Sequence, residues 1–314
     1  MTSRAADDPG RAAVPGRGGG RAGTGGLLDV TRPAGSAHDQ DEIDNVPHRG
    51  DSIRKVTATS AGTPADGASN LAKMLHVLQL FTGKEPVWST AEIIEALDTS
   101  RSSGYRYVKT LYEAGLLASV SKGHYSLGPA IIEMDLQIRE TDPLLLASDG
   151  ILEDLVAKIG HSSLLCTAYR DAVLCIRESR APDSPENRFS RGQRRPLFQG
   201  ASSKVILAYL PHHRLRWIYP RQQAEIEAAG LGSSWGAFRA ALGEIKKAGY
   251  AVTFGEFNPG VYSVAAPILT DQRISLGSVG VAWHEKERRD VDVPHAVRAV
   301  QQAATTISER LQDR

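Results

Sequence analysis

The sequence predicts an α+β protein in which a small unit of short helices and one hairpin is joined by a single helix to a larger antiparallel α+β unit. Three observations predict it. Apolar residues at helical spacing recur three times between Asn70 and Leu111 and then give way to a hairpin-like stretch, Ala118 to Leu127. A helix over about Pro129–Glu140 carries more apolar residues than one narrow face can hide in a small unit. Beyond it, strand-like segments come as consecutive hairpins with helical segments before and after, the pattern of an antiparallel α+β domain.

Length and composition bound the rest. The 314 residues are too many for one compact domain of common size and imply two folded units plus further chain. The formal net charge is only +1, so any nucleic-acid surface must be local rather than a global basic field. Cys166 and Cys175 are the only cysteines, a count that fits a reducing compartment, and their spacing matches no metal motif. No run of about 18 apolar residues occurs and no signal-peptide segment opens the chain, so a soluble cytoplasmic protein without membrane contact is expected. Gly18, Gly20 and Gly23 spell a dinucleotide fingerprint, but no apolar strand precedes them and no helical pattern follows. No cofactor and no metal are expected.

In chain order, residues 1–68 are rich in Gly, Ala, Arg, Asp and Pro with no sustained period, and a disordered tail is expected. Ser69 or Asn70 caps a helix with Leu71, Met74, Leu75, Leu78 and Phe81 on one stripe, ended by Gly83. Ser89 or Thr90 caps the next, with Glu92 in its first turn and Ile93, Ile94 and Leu97 as its apolar side. Asp98, Thr99 and Ser100 make the turn into a third helix. At about 100° per residue, Gly104, Tyr107, Val108 and Leu111 share one face of that helix, while Ser102, Arg106 and Lys109 fall on the opposite one. Arg101 lies close by, Ser103, Tyr105 and Thr110 add hydroxyls, and no carboxylate intervenes before Glu113. Such a face suits phosphates and base edges; an ordinary amphipathic helix with a solvated polar face is the alternative. Gly104 inside the helix costs about 1 kcal/mol relative to Ala, so close packing there would require it. A hairpin then turns at Lys122 and Gly123.

The segment from Asn70 to Ile131 resembles the winged helix-turn-helix of the IclR-type (isocitrate lyase regulator) transcription factors. NLAKMLHVLQLF, then SRSSGYRYVKTLYEAGLL, then GHYSLGPAI carry the resemblance in order and spacing. It implies DNA contacts by Ser102, Ser103 and Arg106. Asp98 and Thr99 depart from a Gly-Leu pair common in the family's turn. Arg101, Tyr105 and Lys109 would share base and phosphate contacts in the major groove, and the wing around Lys122 would touch the flanking backbone. The expected boundaries are 69–128 for the winged unit, 129–143 for a linker helix that pairs with its copy or packs on its own chain, and 144–314 for the second unit.

The second unit opens with a helix from about Leu144 to Ile159 and closes with one from Pro294 to Leu311. Between them lie the strand pair SLLCTAYR and AVLCIRES, the segment RRPLF, a helix from Ala201 to Tyr209, two shorter helical stretches, and strands YAVTF, GVYSVAAPIL and ISLGSVGVAW. This unit also resembles the family, through RRPLFQGASSKVILAYL and GYAVTFGEFNPGVYSVAAPI, and the family's C-terminal half binds small-molecule effectors. Amides at the start of the helix after Gly200 would face an anion with the helix dipole behind them. The resemblance adds Val261 and Ser263 to Gly200, Ala201 and Ser202 as pocket residues. Gly280 and Ala282 stand where some members have hydroxyl residues, Trp283 follows where a small residue is common, and Thr253 and Phe254 stand where acidic residues are frequent. An effector larger or less polar than a two-carbon acid is therefore expected, with Trp283 in the pocket wall. Arg188, Arg191, Arg194 and Arg195 form a basic loop expected to be solvated.

The function expected is DNA-binding transcriptional regulation by a homodimer or dimer of dimers on a roughly palindromic double-stranded operator, modulated by a small, carboxylate-bearing metabolite. A metabolite-binding signalling module working through a protein partner is the alternative. An enzyme is disfavoured: GASSK lacks the second glycine of a nucleophile elbow, Arg288 stands where a second histidine would complete the spelling begun by His284 and Glu285, and the two cysteines sit on strands where buried thiols are inert.

Overall fold

The computed structural model describes residues 69–182, 189–286 and 291–313, all within one compact unit, Thr59–Arg314. The tail expected over 1–68, Arg188 and Arg288 lie outside the described residues.

The first helix, α1 (Asn70–Leu80), is capped by Ser69, whose hydroxyl accepts from the Ala72 amide. Its buried side differs from the expected stripe. Val77 and Phe81 enter the core with Met74 and Leu78 against them, whereas Leu71 and Leu75 are exposed. The apolar residues of α1 thus divide between two faces. Helix α2 (Thr90–Ala96) begins with a capping box: the Ser89 hydroxyl accepts from the Glu92 amide, and the Glu92 carboxylate accepts from the Ser89 amide. Helix α3 (Arg101–Glu113) is capped by Ser100, and its buried residues are Gly104, Tyr107, Val108 and Leu111, as the spacing predicts.

The wing has three strands rather than the expected two. Strands β2 (Leu117–Ser121) and β3 (His124–Leu127) form the hairpin, and β1 (Trp88–Ser89) pairs on the other side of β3. Two residues are too short a run to show a period, so β1 left no sequence signal. Gly123 has φ +75°, the left-handed conformation that the hairpin turn requires. Helix α4 (Ala130–Thr141) follows with no buried residue; Ile132, Met134, Leu136 and Ile138 are all exposed.

The helix expected over 144–159 is two helices, α5 (Pro143–Ala147) and α6 (Ile151–Ile159), parted at Gly150 with φ +73°. Asp142, which ends α4, also caps α5 by accepting from the Leu145 amide. Next come β4 (Ser162–Tyr169), β5 (Ala172–Ser179), β6 (Arg194–Pro196), α7 (Ala201–Ala208), α8 (His212–Ile218), α9 (Gln223–Ala228) and α10 (Trp235–Ala248). Three helices therefore stand where two were expected. Strands β7 (Ala251–Phe254), β8 (Val261–Leu269) and β9 (Ser275–His284) and helix α11 (Val293–Gln312) complete the chain.

The six strands form one antiparallel sheet in the order β6-β5-β4-β9-β8-β7. Alternation along the strands builds a core on each face. Leu165, Val264, Ala266, Ile268, Val279 and Val281 pack beneath α5, α6 and α11. Leu164, Cys166, Val173, Cys175 and Ala282 face α7 to α10. No helix among the described residues is long and apolar enough to cross a membrane.

Candidate nucleic-acid interface and effector site

Helix α3 is held at its buried side and free at the other. The Tyr107 hydroxyl donates to Asn70 Oδ1 at 2.9 Å, tying α3 to α1, and Lys73 Nζ donates to the Asp98 carbonyl at 3.0 Å, fixing the turn where Asp98 adopts φ +44°. A Cβ at Gly104 would lie 2.2 Å from Ile94 Cγ1, so α2 and α3 touch where only glycine fits. On the outer side Arg101, Ser102, Tyr105, Arg106 and Lys109 are exposed, and Lys122 is exposed at the hairpin turn. Ser103 is half-buried, and its hydroxyl accepts from the Ser100 hydroxyl at 3.1 Å, so it is partly engaged in the helix cap. Lys109 lies 3.8 Å from Glu113, an exposed pair that a phosphate can replace at little cost.

A cavity of about 320 Å³ lies on the same side of α3, lined by Tyr105, Arg106, Val108, Lys109, Tyr112 and Tyr125. Tyr112 and Tyr125 meet edge to face at 6.1 Å and join the helix to the wing. Sequence reasoning missed both, although Tyr112 stands one turn beyond Lys109 and two beyond Tyr105 on the helical pattern. The arrangement offers two cations, hydroxyls and aromatic surface along one exposed face, which can meet phosphates and base edges together.

In the second unit the structure brings Gly200, Ala201, Ser202, Val261 and Ser263 to the α7 face of the sheet. Gly200, at φ +85°, opens α7. The anion expected at this helix start comes from the chain itself: the Gly200 amide donates to Glu256 Oε2 at 2.9 Å, and Lys204 Nζ donates to Glu256 Oε1 at 2.6 Å. The Ala201 amide donates to Ser263 Oγ at 3.4 Å, Ser263 Oγ lies 2.8 Å from Thr253 Oγ1, and the Ser278 hydroxyl donates to the Ser202 carbonyl at 3.4 Å. Val261 packs against the core on this face.

Trp283 is not brought to them. Strand alternation turns Val279, Val281 and Trp283 to the opposite side of the sheet, where Trp283 is buried with Tyr262 stacked on it at 5.8 Å and His161 at 5.9 Å. Aromatic rings, those of Phe189 and Phe257, stand instead around Arg195. This residue, expected in a solvated loop, is only 7% exposed. Its Cζ lies 3.7 Å from the Phe189 ring centroid and 4.7 Å from that of Phe257. Among the described residues its Nε and Nη2 are buried without a hydrogen-bond partner. Burial pushes the guanidinium down to about 10, which leaves it a cation at neutral pH. An unpaired buried charge costs on the order of 3–5 kcal/mol, of which cation–π contact returns about 2. The signal that could have found it is the period of β6, in which Arg194 and Pro196 are exposed and Arg195 and Leu197 are buried.

The neighbouring arginines also differ from a solvated loop. Arg194 lies 4.7 Å from the Tyr169 ring, and Arg191 pairs with Asp135 of α4 at 2.6 Å. The hydrogen bond from Arg191 holds the Asp135 carboxyl below its ordinary range. Cys166 and Cys175 face each other across β4 and β5 and are both fully buried. The hydrogen bond to Cys166, with burial, pushes the Cys175 thiol far up, so it stays protonated. No cluster of metal-ligating side chains occurs among the described residues.

Comparison with known proteins gives this architecture a family. The IclR helix-turn-helix domain model matches residues 70–121, and the bacterial transcriptional regulator IclR C-terminal model matches residues 139–309, more than half of the chain. The HTH-type transcriptional regulator KipR of Bacillus subtilis (strain 168) is 23% identical over 244 residues, covering 77% of this chain and 96% of its own. The glycerol operon regulatory protein of Streptomyces coelicolor is 24% identical over 250 residues, covering 79% and 98%. Among solved structures, the IclR transcriptional regulator from Alicyclobacillus acidocaldarius superposes with a TM-score of 0.64 at 23% identity, over 77% of this chain and 98% of that one. An IclR homolog from Microbacterium hydrocarbonoxydans, complexed with 4-hydroxybenzoate, does so with a TM-score of 0.64 at 19% identity, over 78% and 100%. With a helix-turn-helix whose outer face is polar and cationic and an effector-binding domain built on one antiparallel sheet, the chain belongs to the IclR family of DNA-binding transcriptional regulators.

Proposed function

We propose that this regulator reads a roughly palindromic operator as a homodimer or dimer of dimers, and that a small carboxylate in its C-terminal domain changes its affinity for that DNA. The observation that carries the reading is the outer face of α3. Arg101, Ser102, Tyr105, Arg106 and Lys109 stand exposed over a buried side that fixes the helix, with Lys122 on the wing beside it. Arg106 and Ser102 read base edges, Lys109 and Lys122 hold phosphates, and Ser103 contributes through its cap at the helix start. Residues 69–128 form the DNA-binding domain, 129–143 the linker helix and 144–314 the effector domain. The exposed apolar residues of α4 favour pairing with a second copy, which sets half-sites about one helical turn apart.

The carboxylate is supported by the chemistry of this corner, where the Gly200 amide and Lys204 hold the carboxylate of Glu256. The relative from Microbacterium hydrocarbonoxydans binds an aromatic acid, which fits the larger effector expected here. Fluorescence anisotropy tests the reading, with a duplex from upstream of the protein's own gene against a scrambled duplex at physiological salt. A preference of about 10³ or more for the upstream duplex, lost on Arg106→Ala with Lys109→Ala, is expected. Absence of binding to any DNA by the folded protein would instead favour a module acting through a protein partner.

A further inference from the structure

Arg195 and Glu256 both meet Gly200. Glu256 Oε2 accepts from the Gly200 amide at 2.9 Å, and Arg195 Nη1 lies 3.6 Å from where a Cβ of Gly200 would stand. Phe257, next to Glu256 in the chain, packs on the Arg195 guanidinium. Among the described residues, the charged groups that meet here are Arg195 and Lys204, both cations, and Glu256, an anion. They sum to one uncompensated positive charge, and that charge sits on Arg195, because Lys204 and Glu256 already neutralise each other at 2.6 Å.

The geometry of Arg195 narrows what can neutralise it. Phe189 and Phe257 lie over the flat guanidinium, so Nε and Nη2, buried and without a partner among the described residues, point along its edge. Two parallel N–H groups on one edge match the two oxygens of a carboxylate. The phenyl rings of Phe189 and Phe257 give a carboxylate's body an apolar surrounding at that edge.

Resting on the reading of the C-terminal domain as effector-binding, we propose that Arg195 is the specificity-determining anchor of that site, taking a monocarboxylate with an apolar body, and that Glu256 excludes dicarboxylates. One negative charge brings the corner to neutrality. A second would sit against Glu256, which has no cation left to share. The Gly200 amide, filled by Glu256, and the Ala201 amide, filled by Ser263, act as the fixed wall of the site and the Arg195 edge as its recognition element.

The test is isothermal titration calorimetry of the full-length protein with benzoate, its neutral isostere benzamide and the dianion terephthalate. Benzoate is expected to bind, and benzamide and terephthalate to bind about 30-fold more weakly or worse. Arg195→Met removes a buried charge that has no partner, so its melting temperature is expected to match or exceed that of the wild type while benzoate binding falls about 30-fold or more. Glu256→Gln is expected to narrow the gap between terephthalate and benzoate. Undiminished benzoate binding by Arg195→Met, equal binding of benzamide, or no benzoate binding by the wild type would each overturn the assignment. In any of those cases, a shift of operator affinity by another small carboxylate would leave the proposed function standing. No shift by any metabolite would remove both.

Discussion

At the scale of single residues, Gly104 shows how a local cost in the sequence marks a contact in the fold. Its place inside α3 predicts a close approach, and Ile94 supplies it at 2.2 Å from the missing Cβ. Gly104→Ala gains about 1 kcal/mol of helix propensity. It also forces Ile94 aside at Cγ1, in the middle of its side chain, for an overpacking cost of about 1–3 kcal/mol. The overlap is deep enough that the cost should win: we expect a net loss near 1 kcal/mol, read as a lower urea midpoint with an unchanged slope. An unchanged or higher midpoint would mean that α2 and α3 slide apart freely. Arg195 and Trp283 were misread for a common reason. Four arginines within eight residues look like a solvated loop, and only the alternation of β6 distinguishes the buried one. Trp283 occupies the right strand, but one residue's difference in register puts it on the opposite face of the sheet.

At the scale of elements, what could be read was whatever repeats over several residues. The buried face of α3, the cap of α2 and the paired strands of the sheet follow from period and capping chemistry. Strand β1 is too short to show a period, and α5 and α6 read as one helix because apolar residues continue on both sides of Gly150. Helix α4 is the element whose sequence and structure leave the most unaccounted. Ile132 is 74% exposed and Leu136 54%, four residues apart on one side of the helix, with exposed Leu71 and Leu75 on α1. Such residues on a helix with no buried position of its own predict association through it. Ile132→Glu with Leu136→Glu is expected to shift the protein from dimer to monomer in sedimentation velocity, with helix content retained and operator binding weakened by loss of the second half-site. A double variant that remains a dimer would move the interface to another surface.

At the scale of the whole molecule, the segment that carries Arg195 also carries Arg191, and the two side chains reach in different directions. Arg191 Nη2 pairs with Asp135 Oδ1 of α4 at 2.6 Å, and its other nitrogen donates to the Ile176 carbonyl of β5. Asp135 in turn pairs with Arg139 one turn along α4 at 2.7 Å. Helix α4 is thereby tied to the strand region beside the Arg195 corner, four residues of chain away. An acid that draws Arg195 toward its oxygens has a short mechanical route to α4, and thus to the placement of α3 on DNA. The tie is insensitive to physiological pH. The hydrogen bond from Arg191 lowers the Asp135 carboxyl from its ordinary value of 3.8, so the contribution of the pair is complete above that value and is lost only as the pH falls through the lowered one. Asp135→Asn removes the charge while keeping the size of the side chain. If Arg195 anchors a monocarboxylate as proposed, we expect this variant to bind benzoate with affinity unchanged to within about threefold, the measure of independent sites, yet to lose most of benzoate's effect on operator affinity. That uncoupling should be the same between about pH 6 and pH 8, because the Asp135 carboxyl, held below its ordinary 3.8, stays ionised throughout that range. Loss of acid binding in Asp135→Asn would make the pair a structural prop of the effector site. A full operator response with the pair broken would mean that the signal reaches α4 by another path.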